Sequence, residues 1–185
     1  MACLLTTGRG LPCKSGVGGL KHIYFVDYGG LGTATDDGSN EPDASAFDGT
    51  INNITGTPTA YKFDIKGNSS LETTVNSSRE NGTTFYESVL NLTLPFLDAA
   101  TNQELKLLAY SRPQVIVEDY NGNRFVVGYE NGADVNGGTI VSGAAMGDLS
   151  GFTLSFQAME KFPPPFMNDT SFAQVTVSGS QIAPN

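Results

Sequence analysis

The chain has 185 residues and a formal net charge of −9, from 19 acidic and 10 basic side chains. This length suits one domain over residues 1–185 with a substantial hydrophobic core. The acidic balance argues against sequence-independent attraction to nucleic acid phosphates, because such binding needs clustered Lys and Arg. We find neither a run of eighteen apolar residues nor a basic region at the start, so we expect no membrane span, no secretory signal, and folding in a cytoplasm.

The first third of the sequence alternates between irregular and regular patterns. Residues 1–19 are interrupted by glycine and proline and predict an irregular arm. Residues 22–28, HIYFVDY, are aromatic and β-branched and predict a strand that is buried on both faces. Residues 29–60 carry five acidic side chains and no Lys or Arg, which predicts a long exposed acidic loop, with room for one short strand.

Two hairpins are predicted further along the chain. YKFDI at 61–65 and LETTV at 71–75 are separated by a turn-rich break and indicate paired strands. Residues 114–132 contain two apolar runs around Asn121-Gly122, the dipeptide that most favours a two-residue hairpin turn.

Other strands show a period of two. From Tyr86 to Phe96, apolar residues alternate with polar ones and predict a long half-buried strand. Residues 152–159, FTLSFQAM, alternate in the same way, and FAQVTV at 172–177 predicts a closing strand.

One segment has helical spacing, residues 98–110. Thr101 and Glu104 have the spacing of a capping box, and Pro113 prevents continuation. The whole pattern predicts a mainly β protein, an antiparallel β-barrel or rolled β-sandwich of about seven or eight strands with this one flanking α-helix.

No segment predicts catalytic, cofactor-binding or metal-binding residues. GRGLPCKS at 8–15 approaches a phosphate-binding loop, but Cys13 replaces its second glycine and no strand precedes it. The acidic residues 36–48 do not match a calcium loop. His22 is the only histidine, and no serine has an elbow motif around it.

Three stretches together resemble structural proteins of tailed bacteriophages. They are MACLLTTGRGLPCKSGVGGLKHIYF at the start, SSRENGTTFYESVLNLTLPFL with ELKLLAYSRPQVIVEDYNGNRFVVGYENGADV in the centre, and GGTIVSGAAMGDLSGFTLSFQAME after them. The likeness is to tail tube or major tail proteins of phages from Bacteroidetes and marine hosts. It covers roughly residues 1–28 and 60–161, and leaves the acidic loop and the last strand unmatched.

This resemblance implies a β-barrel or rolled sandwich whose copies form hexameric rings, stacked into a hollow tube that conducts the genome. The partners would be further copies and other tail proteins, with DNA as transient cargo and no membrane. The location would be the virion tail, after assembly in the host cytoplasm. A conduit must not hold DNA, so we expect its inward face to carry more Asp and Glu than Lys and Arg.

The glycine-rich segment 137–151 fits such an assembly as a joint between subunits rather than as a ligand loop. Glycine allows sharp turns and close approach, and small uncharged side chains lower the cost of desolvation. At Gly151 we expect either a positive φ or a close neighbour. A surface loop without a partner is the alternative. The candidate interface residues are Gly137, Gly138, Ser142, Gly143, Gly147, Asp148 and Gly151.

Other functions stay open at this point. A tail terminator, hub or head-surface protein would use the same kind of β domain. A carbohydrate-binding adhesion module would use Tyr and Phe as stacking platforms, although the sequence has no Trp. A glycosidase would need two facing carboxylates, and the sequence places no such pair.

Cys3 and Cys13 are the only thiols, and assembly in a reducing cytoplasm would leave them unpaired. Replacing both by Ser should therefore leave folding and ring formation intact, as measured by thermal unfolding and electron microscopy. A fall in melting temperature of more than about 10 °C would contradict this expectation, because it exceeds what 1–2 kcal/mol causes in a domain of this size.

Overall fold

The computed structural model describes residues 9, 16–31, 34–35, 49–54, 56–65 and 68–179. Most of the predicted arm at 1–19 and half of the acidic loop at 29–60 lie outside these residues, as do Cys3 and Cys13. Those predictions therefore stay predictions. The described half of 29–60 differs from the predicted exposed loop, because it contains three short strands and buries Leu31, Ile51 and Ile54.

The described chain is mainly β, with thirteen strands and two helices. The helices are α1 (Ala99–Tyr110) and α2 (Asp169–Phe172). The strands are β1 (Leu20–Val26), β2 (Ala34–Thr35), β3 (Thr50–Ile51), β4 (Asn53–Ile54), β5 (Thr59–Asp64), β6 (Ser70–Ser78), β7 (Thr83–Pro95), β8 (Gln114–Asp119), β9 (Arg124–Val127), β10 (Asp134–Val141), β11 (Gly151–Glu160), β12 (Phe166–Met167) and β13 (Thr176–Ser178).

These strands form two main sheets. The larger has seven strands in the order β13-β5-β1-β8-β9-β12-β3, and the smaller has four in the order β10-β11-β7-β6. β2 and β4 form a separate short pair. All pairings are antiparallel except β12 with β3 and β13 with β5. Both main sheets stay open within the described ranges, so the fold is sandwich-like and not a closed barrel.

The main core lies between the two sheets. β7 and β11 contribute alternate residues to it, and β1 and β8 contribute the residues that face them from the larger sheet. Burying one such Leu, Ile or Phe side chain stabilises the fold by about 1.5–3 kcal/mol. Among the core residues with almost no exposed surface are Ile23, Leu90, Leu92, Val115, Val117 and Phe156.

A second core covers the opposite face of the larger sheet. Tyr24 and Val26 of β1 and Ile116 of β8 pack there against the segments that carry β3, β4, α2 and β12. β1 and β8 are therefore buried on both faces, as the sequence of β1 predicts. The larger sheet is the middle layer of the described structure, and no described element covers the outer face of the smaller sheet.

Several local predictions are confirmed. β8 and β9 pair around Gly122, whose φ is +84°. α1 lies where the helical spacing of the sequence predicts it, but its N-terminal cap is not the predicted one. Asp98, not Thr101, caps the helix, because the Asp98 carboxylate accepts a hydrogen bond from the Thr101 backbone N–H at 2.9 Å.

Two strand predictions are wrong. The strands at 61–65 and 71–75 do not form a hairpin, since β5 belongs to the larger sheet and β6 pairs with β7 in the smaller one. The predicted strand at 172–177 is shorter, because Asn168 caps a helical turn that includes Phe172, and only β13 remains extended. This second helix was not predicted.

A buried carboxyl group holds the turn that carries the chain from β9 in one sheet to β10 in the other. Glu160, at the end of β11, is 5% exposed and accepts the backbone N–H of Glu130 at 2.6 Å. Burial raises the pKa of Glu160 to about 7, although the backbone hydrogen bonds of the turn oppose that shift. Gly128 allows the turn, because a side chain there would collide with the backbone of Gly132.

This shift predicts a pH dependence of stability. The folded-state pKa of Glu160 lies above its ordinary value of 4.5, so its stabilising contribution is full below pH 4.5 and is lost as the pH rises to about 7. We expect the free energy of unfolding of the native chain to fall by up to about 3 kcal/mol over this range relative to Glu160→Gln, which does not titrate. Urea unfolding of both proteins at several pH values measures the difference, and parallel curves would contradict it.

Candidate assembly surface

The two sheets end very differently at their edges. The larger sheet ends in β13 and β3, which are three and two residues long. The smaller sheet ends in β6 and β10, which are nine and eight residues long. A long edge strand presents a row of unpaired backbone groups to any chain that approaches, whereas a very short one does not. Within the described residues, the smaller sheet therefore has two open edges, on opposite sides.

The two long edges carry few of the side chains that usually prevent pairing, namely Glu72 on β6 and Asp134 on β10. Lys and Pro are absent from both β6 and β10. None of the nine residues of β6 is buried, and β10 is exposed at every residue except Val135. α1 packs against β10. β10 has one irregularity, a register shift between Val135 and Gly137, after which it pairs regularly with β11.

The first predicted interface glycines lie in β10. Gly137 has open space where a side chain would be, so the structure does not require glycine there. At Gly138 a Cβ would lie 2.7 Å from the carbonyl oxygen of Thr153 in the neighbouring strand. Gly138 thus permits close packing within the chain.

The next predicted residues lie in the loop between β10 and β11. Asp148 shapes this loop, because its carboxylate accepts the backbone N–H groups of Ala144 and Ala145 at 2.9 and 2.8 Å. These hydrogen bonds lower the pKa of Asp148. Gly143 has a φ of +75° and packs against Asp148, while Ser142 is exposed.

The two remaining glycines differ from each other. Gly147 has open space around it. Gly151 has the close neighbour that we expect there, but the neighbour is the carbonyl oxygen of Leu94 in the same chain, which a Cβ would overlap. A substitution at Gly151 would therefore disturb the pairing of β11 with β7. Gly147 and Gly137 are better positions from which to probe contacts between subunits.

An apolar patch surrounds this loop at one end of the smaller sheet. Its residues lie near one another because β7 ends beside β11, and Phe96 donates its backbone N–H to Ser150 at 2.7 Å. Exposed apolar groups that cluster in this way mark contact sites. The patch consists of Phe96, Leu97, Ile140, Val141 and Met146.

Phe96 differs most from its prediction. The period-two pattern places it with the buried residues of β7, yet it is 81% exposed and has a φ of +71°. It is the one residue other than glycine with a positive φ in the described ranges. A left-handed conformation costs an aromatic residue about 1–2 kcal/mol. The backbone strain at Phe96 therefore coincides with an aromatic ring that lies in solvent.

The uncovered face of the smaller sheet has a distinct charge character. Leu90, Leu92 and Phe156 face the core, so the alternate residues of the same strands face outward. All ten Lys and Arg of the sequence lie outside the four strands. Glu72, Glu87 and Asp134 have outward register positions, and hydroxyl and amide side chains occupy most of the others.

A cross-strand row of charged residues on the larger sheet was not predicted. Asp64, His22, Glu118 and Arg124 are register partners on four neighbouring strands. Glu118 accepts the Tyr24 hydroxyl at 3.0 Å, and His22 Nδ1 lies 2.6 Å from Asp64 Oδ1, a close contact without hydrogen-bond alignment. Burial, together with this hydrogen bond, raises the pKa of Tyr24.

Basic side chains pair with the carboxylates of this row, as Lys62 does with Asp64 and Lys21 with Glu118. Arg124 lies between Glu118 and Asp169, and its guanidinium covers the Phe172 ring at 4.1 Å. The row therefore ties α2 to the sheet. In the described ranges no three His, Cys, Asp or Glu side chains are placed to hold a metal ion. Neither described helix has the length and apolar character needed to cross a membrane.

Comparison of the chain with known protein families, characterised proteins and solved structures gave no match.

Because the backbone at Phe96 is strained, we expect a substitution there to affect the stability of the fold and the self-association of the chain in opposite directions. Asn tolerates a positive φ better than Phe, so Phe96→Asn should leave the free energy of unfolding unchanged or raise it by about 0.5–1 kcal/mol. The same change should weaken self-association in the proposed assembly, because it removes the one aromatic ring of the patch. Urea unfolding and sedimentation velocity measure the two effects.

Phe85→Asn is the matched control, since Phe85 is a partly exposed Phe within β7 that has ordinary backbone geometry. It should show no gain in stability. A loss of more than about 1 kcal/mol in Phe96→Asn would show that the ring supports the fold itself, as an average destabilising substitution would.

Proposed function

We propose that this protein is a structural subunit whose copies join into rings that stack into a tube, as the tail tube proteins of tailed bacteriophages do. The observation that carries the proposal is the pair of long unprotected edges, β6 and β10, on opposite sides of one sheet. Two different edges that pair with each other make a head-to-tail contact, and such contacts close into rings when the rotation between copies allows it.

Strand directions are compatible with this closure. Each strand of the smaller sheet is antiparallel to its neighbour, so β10 and β6 run in opposite directions within one copy. If the rotation axis of the ring runs roughly parallel to the strands, β6 of one copy meets β10 of the next in antiparallel orientation. The ladder of backbone hydrogen bonds continues from copy to copy, at about 0.5–1.5 kcal/mol for each bond.

The size of such a ring is suited to a conduit. Six copies, the number that the phage resemblance implies, would bring 24 strands into one continuous barrel. At about 4.8 Å between strands, the backbone circumference is roughly 115 Å and the diameter roughly 37 Å before strand tilt widens it. This leaves an open lumen rather than a filled core.

The charge of the sheet supports its place at the inner wall. A Lys or Arg in the bore would attract DNA phosphates over about 8 Å at physiological salt, and the attraction would add up along a stacked tube. The four strands contain none, and their outward positions carry carboxylates and neutral polar groups. The opposite face is covered by the larger sheet, whose strands carry Lys21, Lys62 and Arg124 on the side away from the lumen.

The apolar patch completes the contact between copies. It lies beside the end of β10, and it surrounds the loop that contains Gly143, Gly147 and Asp148. A partner docked at this edge would bury side chains that are exposed in the single copy, at about 0.8 kcal/mol per buried methylene. A tail terminator or hub would use the same edges in a single ring instead of a stack.

Paired cysteines test the head-to-tail contact directly. In a chain with Cys3→Ser and Cys13→Ser, Thr74→Cys on β6 and Thr139→Cys on β10 place thiols on the same outer face of the two edges. We expect a bismaleimide cross-linker to join the double variant into a ladder of oligomers on a denaturing gel. The ladder should stop at the number of copies in one ring.

Each single variant is the matched control. In a head-to-tail contact neither Thr74→Cys nor Thr139→Cys alone places two thiols together, so neither should cross-link. Efficient dimers from Thr74→Cys alone would show that β6 pairs with β6 in a symmetric dimer, and the ring proposal would be wrong. Absence of cross-links in the double variant at concentrations where the chain self-associates would also contradict it.

A further inference from the structure

The two sides of the sandwich are closed differently. On the β10 side, α1 packs against the edge strand and places Leu105 in the main core between the sheets. On the β6 side, no described element occupies the corresponding position, and a cleft of about 390 Å³ opens between the sheets. One side of the sandwich therefore carries a helix, and the opposite side carries a cleft.

The cleft is mainly apolar and has one charged group. Leu71 of β6 lies on one side of it, and Leu20 and Phe125 of the larger sheet lie on the other. Asp119 also lines it. Although partial burial opposes the shift, hydrogen bonds from two neighbouring asparagines lower the pKa of Asp119 and keep its carboxylate ionised. A cleft of this size and lining accommodates one or two large apolar side chains with a cation beside them.

The exposed face of α1 has the matching chemistry. Leu107 is 56% exposed and Tyr110 is 84% exposed. At about 100° per residue, both lie on the side of the helix opposite Leu105, which faces the core. Lys106 precedes Tyr110 by one turn, and Glu104 lies on the other flank of this face, one turn before Leu107. The end of α1 thus presents two large apolar side chains with a cation beside the second.

The cleft and this end of α1 lie at the same level of the smaller sheet. Pro113, three residues after α1, accepts the backbone N–H of Ala133 at 2.9 Å, directly before β10 begins. Val135 of β10 lies in one cross-strand row with Leu71 of β6, through β11 and β7. The end of α1 and the cleft therefore flank the two ends of one row, and both lie on the core side of the sheet.

We infer that the C-terminal end of α1 docks on the cleft of the next copy of this chain and places Leu107 and Tyr110 between its sheets, with Lys106 toward Asp119. This inference rests on the proposed ring, in which β10 of one copy pairs with β6 of the next. Rotation about the ring axis keeps the core side of every copy away from the lumen. The helix of one copy and the cleft of its neighbour then meet in the same layer, outside the continuous sheet.

This second layer explains why the contact would be head-to-tail. Backbone hydrogen bonds alone would also allow β6 to pair with β6, or β10 with β10. Helix and cleft lie on opposite sides of each copy, so they meet only when β6 of one copy pairs with β10 of another. The docked helix therefore selects the contact that can close into a ring over the symmetric contacts that cannot.

A second cysteine pair tests the docking. In the chain with Cys3→Ser and Cys13→Ser, Thr73→Cys lies on the cleft side of β6 and Tyr110→Cys lies at the end of α1. A bismaleimide cross-linker should join this double variant into oligomers on a denaturing gel. Thr74→Cys with Tyr110→Cys is the matched control, because Thr74 lies on the opposite face of β6, and it should cross-link at least about ten times more slowly.

A substitution without cysteines measures what the helix contributes. Leu107→Ser with Tyr110→Ser should leave the melting temperature unchanged, because both side chains are exposed in the single copy. The dissociation constant for self-association should rise at least about tenfold, since two large apolar anchors are lost. Val177→Ser, which removes an exposed apolar side chain from β13, is the control and should leave self-association unchanged. Sedimentation velocity measures association, and circular dichroism confirms that each variant is folded.

The Thr74–Thr139 pair described above, measured in parallel, separates this inference from the proposed ring. If that pair cross-links and the Thr73–Tyr110 pair does not, the ring stands and the docking of α1 is wrong. If neither pair cross-links at concentrations where the chain self-associates, both are wrong. Cross-links in the Thr73–Tyr110 pair alone would support the docking and contradict the strand pairing. Unchanged self-association of the serine double variant would overturn the docking as well.

Discussion

Unpaired backbone N–H and C=O groups along β6 and β10 are the constraint on which this account depends. Each is a strong hydrogen-bonding group, and a strand edge eight or nine residues long presents them in a regular row. The larger sheet avoids this by ending in strands of three and two residues. Because short and long edge strands occur in the same chain, the long edges of the smaller sheet are not simply a general feature of β proteins. In the proposed assembly, this contrast directs association to the smaller sheet.

The layers of the fold explain why that sheet is available. β1 and β8 are apolar on both faces and form the middle of the molecule, with one core toward the smaller sheet and another toward α2. In the described part of the chain, the smaller sheet is left with one uncovered face, and its strands lack Lys and Arg. The edges and the uncovered face belong to these four strands, and the apolar patch lies at their ends, so a single mode of association would involve all three.

Local patterns in the sequence predict much of this fold, because alternation, turn dipeptides and helix spacing act over a few residues. They find β7, β11, the β8–β9 hairpin and α1. These local patterns do not predict that β6 pairs with β7 rather than with β5, because that pairing depends on which sheet has an apolar face that β6 completes. Phe96 is the clearest failure: its apolar character continues the β7 pattern, but the chain turns at Pro95 and a positive φ aims the ring outward. Of the candidate interface, sequence predicts the glycine-rich loop, whereas the edges and the patch emerge only when distant strands are placed side by side.

Cryo-electron microscopy of the purified chain at high concentration tests the central claim most directly. The account predicts closed rings or short tubes in which the smaller sheets of neighbouring copies join into one continuous wall around the lumen. Particles that remain single copies at every concentration would contradict it. So would rings in which the larger sheet lines the channel, because the open edges of the smaller sheet would then have no role in closure.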